Sequence, residues 1–131
     1  MNSSHALLAC CLFLIAVPAP AREATAPAAK QTPTEAEYGL SQENPIMVGA
    51  KDEFGGPAAE RAYLESLRDE KGKPIKYQRL GSVGQGPDGH VLDLYSVETS
   101  DGKTLKLYID MYHPKSDPKK QPAPKGLKKA R

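Results

Sequence analysis

The chain has no tryptophan and only two cysteines, Cys10 and Cys11, adjacent to each other near its start. Both lie in its one long apolar run, Ala6 to Val17 (ALLACCLFLIAV). Twelve residues are too few for a spanning helix, which needs about 20. Pro18-Ala19-Pro20-Ala21 follows, with small residues where a signal peptidase reads. The pattern predicts a secretory signal peptide over residues 1–21, cut after Ala21, although the start carries no Lys or Arg. The chain beyond it then has no thiol, which excludes disulfides, thiol catalysis and Cys-ligated metal in the monomer. An alternative address stays open. Leu7-Leu8-Ala9-Cys10 is similar to a bacterial lipobox, which would anchor the protein as a lipoprotein through Cys10. Otherwise the product is periplasmic or secreted.

Histidine is also scarce. Beyond the signal only His90 and His113 remain. With Asp93 and Asp110 close in sequence, a two-His, one-carboxylate metal site is conceivable. Yet His90 follows the Pro87-Asp88-Gly89 turn and His113 precedes Pro114, so they read as unrelated surface strand ends. No metal and no cofactor are expected. The glycine-rich stretch Gly81-Ser82-Val83-Gly84-Gln85-Gly86 lacks the Gly-Lys-Ser/Thr of a phosphate loop. It also lacks the following helix of a dinucleotide site, and Ser82 lacks the G-x-S-x-G elbow. It reads as a turn between strands, finished by Pro87-Asp88-Gly89.

Charge is unevenly placed. Residues 115–131 carry seven Lys/Arg and one acid, a net of +6, whereas residues 22–114 carry eleven bases and fifteen acids, a net of −4. The basic tail contains Pro118, Pro122 and Pro124 and reads as a solvated, flexible segment. It has no aromatic residue to stack on bases, so nucleic acid is not an expected partner. Residues 22–37 (REATAPAAKQTPTEAE) show no buried-face pattern and read as a disordered linker.

The folded part is expected over residues 38–114. One helix is marked by Pro57 at its start and Gly72 as its left-handed stop. Ala59, Tyr63, Leu64 and Leu67 form its apolar stripe, and Glu60 and Glu65 read as ordinary helix acids. Three strands follow, at 75–83, 90–99 and 104–112. In the last, Leu105, Leu107, Ile109 and Met111 alternate with Lys106, Tyr108, Asp110 and Tyr112. A three-residue loop, Ser100-Asp101-Gly102, sets Thr99 against Lys103, Val97 against Leu105, Tyr95 against Leu107 and Val91 against Met111. A one-residue slip would break the apolar face. Leu92, Leu94, Tyr108 and Tyr112 lie on the other face, and residues 44–50 are the candidate cover, with Ile46-Met47-Val48 as a short strand or an extended cover. The fold class is α+β: one helix packed on a small antiparallel sheet of three or four strands.

A string of landmarks carries a resemblance: Tyr38-Gly39-Leu40-Ser41, Glu43-Asn44-Pro45-Ile46, Gly56-Pro57, Glu60-Arg61-Ala62-Tyr63-Leu64, Gly81-Ser82, Leu92-Asp93, Leu107-Tyr108-Ile109-Asp110-Met111-Tyr112 and Pro124-Lys125-Gly126-Leu127. Over residues 38–127 the chain resembles an uncharacterised family of small bacterial exported proteins. The resemblance implies no catalytic residues. It implies that residues near 124–127 dock on the domain. Some similar chains bear the name of a sugar-phosphate aldolase, a class that needs a barrel of about 250 residues. This chain is too short for one.

Two functional expectations follow. The first is a non-enzymatic envelope or periplasmic binding module, monomeric, contacting a protein or a polyanion. Tyr108, Asp110, Tyr112, His113 and His90 are its candidate binding residues if their face is open; if it is covered, the tyrosines are amphipathic core, and the covered reading is preferred. The second is a small exported hydrolase acting on envelope sugar or peptide through Asp110 and His113, which would need Asp93 convergent with them in an open cleft. An inhibitor or immunity-like partner protein is a further alternative.

Overall fold

The computed structural model describes residues 37–131 apart from Glu53. The signal peptide, Cys10 and nearly all of the linker lie outside the described residues. Helix α1 (Gly56–Glu65) is the one helix among them, and none there is long and apolar enough to cross a membrane. Strands β1 (Ile46–Met47), β5 (Thr104–Asp110), β4 (Val91–Glu98) and β3 (Lys76–Gln85) form a four-stranded sheet in that order. Strands β2 (Leu67–Asp69) and β6 (Leu127–Lys129) form a second, two-stranded sheet. The α+β class, with a helix on a small sheet, is the observed architecture.

The β4–β5 hairpin follows the alternation of its residues. Val97 faces Leu105 and Tyr95 faces Leu107, and Thr99 N–H donates to Lys103 O at 2.9 Å. Gly102, at φ 83°, supplies the left-handed loop position that a side chain resists. The apolar face so assembled packs on Ala59, Tyr63 and Leu64 of α1. Pairing of β4 with β5 ends at Asp93–Ile109, so Val91 has no Met111 partner in the ladder; it faces Gln85 of β3. Strand β3 is an outer strand with register shifts at Arg79/Gly81 and Val83/Gln85.

Four expectations are corrected. Residues 44–50 do not lie over the second face of the hairpin. Ile46 and Met47 extend the sheet as a parallel strand beside Ile109 and Asp110. Ile46 and Val48 thereby enter the core on the helix side, each fully buried. The helix stops at Ser66, not near Gly72: Ser66 turns its amide and hydroxyl onto Tyr63 O. Leu67, still on the apolar stripe, continues as β2 because β6 offers it a ladder. Glu60 is not a solvated acid: it is 1% exposed, on the same buried face as Ala59 and Tyr63.

The fourth correction concerns the tail. Its proline-rich part makes only turns, but the tail is tied down rather than loose. Tyr63 hydroxyl donates to Pro122 O at 2.7 Å, and Ala130 N–H donates to Ser66 O at 2.7 Å. Leu127 joins the core, and the Lys129 ammonium sits 4.7 Å from the centroid of the Tyr63 ring. A cation over an aromatic face in a half-buried setting is worth about 0.5–2 kcal/mol.

Candidate functional site

Asp110 ends β5 on the face turned away from α1, because its neighbour Ile109 points into the core and alternate residues point oppositely. It is nevertheless 0% exposed. A buried carboxylate needs donors, and three converge on it. Tyr112 N–H reaches Oδ1 at 3.0 Å, while His90 Nδ1 and His113 Nε2 each lie 3.0 Å from Oδ2.

The backbone fixes both histidines. His90 follows a tight turn in which Gly89 N–H donates to Gly86 O (3.0 Å) and Gly86 N–H donates to His90 O (2.9 Å). His113 is pinned by its N–H to Val48 O at 3.1 Å, so the parallel strand β1 positions it. Gly49 lets the chains pass there: a Cβ on it would sit 2.4 Å from the His113 carbonyl carbon. The same turn that sets His90 carries Asp88, whose Oδ2 stands 3.3 Å from His113 Nε2. The four ligand atoms of Asp88, His90, Asp110 and His113 lie within 4.8 Å of one another. Asp88 and His90 side chains are 44% and 38% exposed, so the group opens to solvent on that side.

The two histidines are therefore not unrelated strand ends; their rings meet at 5.4 Å. Tyr112 stacks obliquely on His90 at 5.3 Å and is half exposed, outside the core cluster. Tyr108 is partly buried, and its N–H donates to Gly39 O. The preferred core reading of these tyrosines thus fails for Tyr112. Sequence reasoning missed Asp88, which looked like a turn residue only. The signal that could have found it was its place in the turn that also presents His90.

Asp93 does not join the group. It faces Ile109 across the ladder and shares the core-facing side of β4 with Tyr95 and Val97. There Arg79 grips it with two bonds of 2.7 Å, and Ser82 hydroxyl donates to it at 2.9 Å. Asp93 and Asp110 thus point to opposite faces of the sheet. A cavity of about 40 Å³, lined by Asp69, Thr99, Asp101 and Lys103 among others, includes no member of the His/Asp group. Chemically, the group offers two imidazole nitrogens and two carboxylate oxygens, a donor set that a divalent transition-metal ion accepts. Comparison with family models, with curated proteins and with solved structures gives no match for this chain.

Proposed function

We propose that the chain is a small exported binding module whose folded domain takes one divalent transition-metal ion of the zinc class through His90, His113, Asp110 and Asp88. One observation carries the reading. Asp110 Oδ2 and Asp88 Oδ2 both converge on the single Nε2 of His113, at 3.0 and 3.3 Å. An imidazole nitrogen bears at most one hydrogen, so His113 can serve only one of the two carboxylates at a time; Asp110 also has His90 and Tyr112 beside it, while Asp88 otherwise relies on solvent. A dication at that point satisfies both carboxylates and leaves the site neutral with both imidazoles uncharged.

The spacing supports this. With metal–ligand bonds of about 2.0–2.2 Å, neighbouring corners of a tetrahedron stand about 3.3–3.6 Å apart. Three of the contacts, at 3.0–3.3 Å, need only open slightly, and the other pairs, all within 4.8 Å, need to draw together. The donors are nitrogen and oxygen with no thiolate, which suits zinc, nickel or copper(II) rather than copper(I). A polyanion fits the same face poorly, because two carboxylates line it. A hydrolase that used Asp93 beside Asp110 is disfavoured by their opposite faces. Export rests on the residue pattern of positions 1–21.

Isothermal titration of chelator-treated protein with zinc chloride near pH 7 tests the reading. One ion per chain is expected. His113→Ala abolishes binding, and His90→Ala or Asp88→Asn weakens it about tenfold or more. Tyr112→Phe, which keeps both the ring beside His90 and the N–H bond to Asp110, leaves it unchanged. Absence of binding by zinc and copper(II), or equal affinity in His113→Ala, refutes the proposal.

A further inference from the structure

A second titratable group lies under the helix, on the other side of the sheet from the metal ligands. Glu60 of α1 is almost wholly buried. Its Oε2 accepts a hydrogen bond of 2.8 Å from Tyr95 hydroxyl on β4, but its Oε1 has no donor facing it. A buried acceptor without a donor is costly for an ionised carboxylate. A protonated Glu60 reverses the situation, because its O–H becomes a donor. Asp93, two residues before Tyr95 on the same core-facing side of β4, is the neighbouring carboxylate that can accept it.

We infer that Glu60 and Asp93 form a proton-sharing carboxyl–carboxylate pair that latches α1 to the sheet, and that loss of this proton loosens the helix. The proton is placed on Glu60, because the Asp93 oxygens already accept two bonds from Arg79 and one from Ser82. The groups facing Glu60 are Asp93 and Tyr95 from β4 and Arg79 from β3. Asp93 opposes ionisation of Glu60; the Arg79 charge and the Tyr95 hydroxyl favour it, and Arg79 is already committed to Asp93. Burial outweighs them and pushes Glu60 up to about 7. When the pair opens, the proton passes to water and two carboxylates are left facing each other in a dry contact.

The sign follows from linkage. The folded-state value lies above the ordinary 4.5, so the folded protein binds more protons than the unfolded chain. The stabilisation is complete below about 4.5 and is lost as the pH rises through about 7. Denaturant unfolding between about pH 5 and 9 reads this directly. In the wild type the folding constant falls on the order of a hundredfold from about pH 5 to 8 and then levels. Glu60→Gln keeps a donor for Asp93 and removes that fall. His90 and His113 are common to both proteins, so the difference between the two profiles isolates Glu60. In the wild type, carboxyl-carbon NMR is expected to show Glu60 titrating near neutrality. A midpoint in the ordinary carboxylate range, or identical pH profiles for the wild type and Glu60→Gln, overturns the inference.

Discussion

Leu127→Ala is the most searching perturbation of the fold, because it asks whether the lysine-rich C-terminal segment is part of the domain. Leu127 is 7% exposed and sits in the core cluster with Tyr63, Leu64 and Leu67. Truncating a buried leucine costs about 2–5 kcal/mol, the spread reflecting how far the site can collapse. Here the residue stands on a three-residue strand paired only with β2, so the backbone can close part of the gap. A cost of about 2–3 kcal/mol is therefore expected. For a domain of this size each kcal/mol lowers the melting temperature by about 4–8 °C, which places the shift at about 10–20 °C. Thermal and urea unfolding followed by circular dichroism measure it, with exposed Lys125→Ala as the control near zero. A loss for Leu127→Ala below about 0.5 kcal/mol, the range of surface substitutions, would refute the docking of this segment.

Two further outcomes are expected. Asp69 accepts N–H bonds from Lys71, Lys73 and Ser100, and bonding led by the Ser100 side chain lowers its carboxyl to about 2. Its stabilisation is present above the ordinary 3.8 and is lost as the pH falls toward 2, so urea midpoints should drop in that window for the wild type and much less for Asp69→Asn. Gly49→Ala drives a Cβ into the His113 backbone and must push that segment outward. Zinc titration should then show weakened binding even though no ligand has changed.

The hairpin was legible because its signals are local. Alternation from Leu105 to Met111 and the loop at Gly102 fix the register without reference to the rest of the chain. The same register contained an unused fact. It places Asp93 beside Ile109, so parity alone separates Asp93 from Asp110 and ends the idea that both carboxylates serve one site. The parallel β1–β5 pairing was not legible, since nothing near Ile46 announces Ile109 as its neighbour. Positioning of His113 depends on that pairing and was lost with it. Composition hides Leu127, one apolar residue among lysines; the resemblance pointed to docking near 124–127, but nothing there announced β6 or the early end of α1. Leu67 fits a helical stripe and a buried strand equally well, and only β6 decides. Glu60 sits on the apolar stripe beside Ala59, and reading charge as exposure concealed it.

The outer strand β3 has a consequence for behaviour in concentrated solution. A long, straight sheet edge exposes a row of amide and carbonyl groups on which another copy can template itself. Here two register shifts within ten residues bend and twist that edge, and exposed Lys76 adds a charge to it. Neighbouring copies therefore meet a curved rim that offers no long run of matched hydrogen bonds, which makes growth into β-fibrils through this edge unfavourable. Straightening the strand by deleting both extra residues, Leu80 and Gly84, would remove that protection.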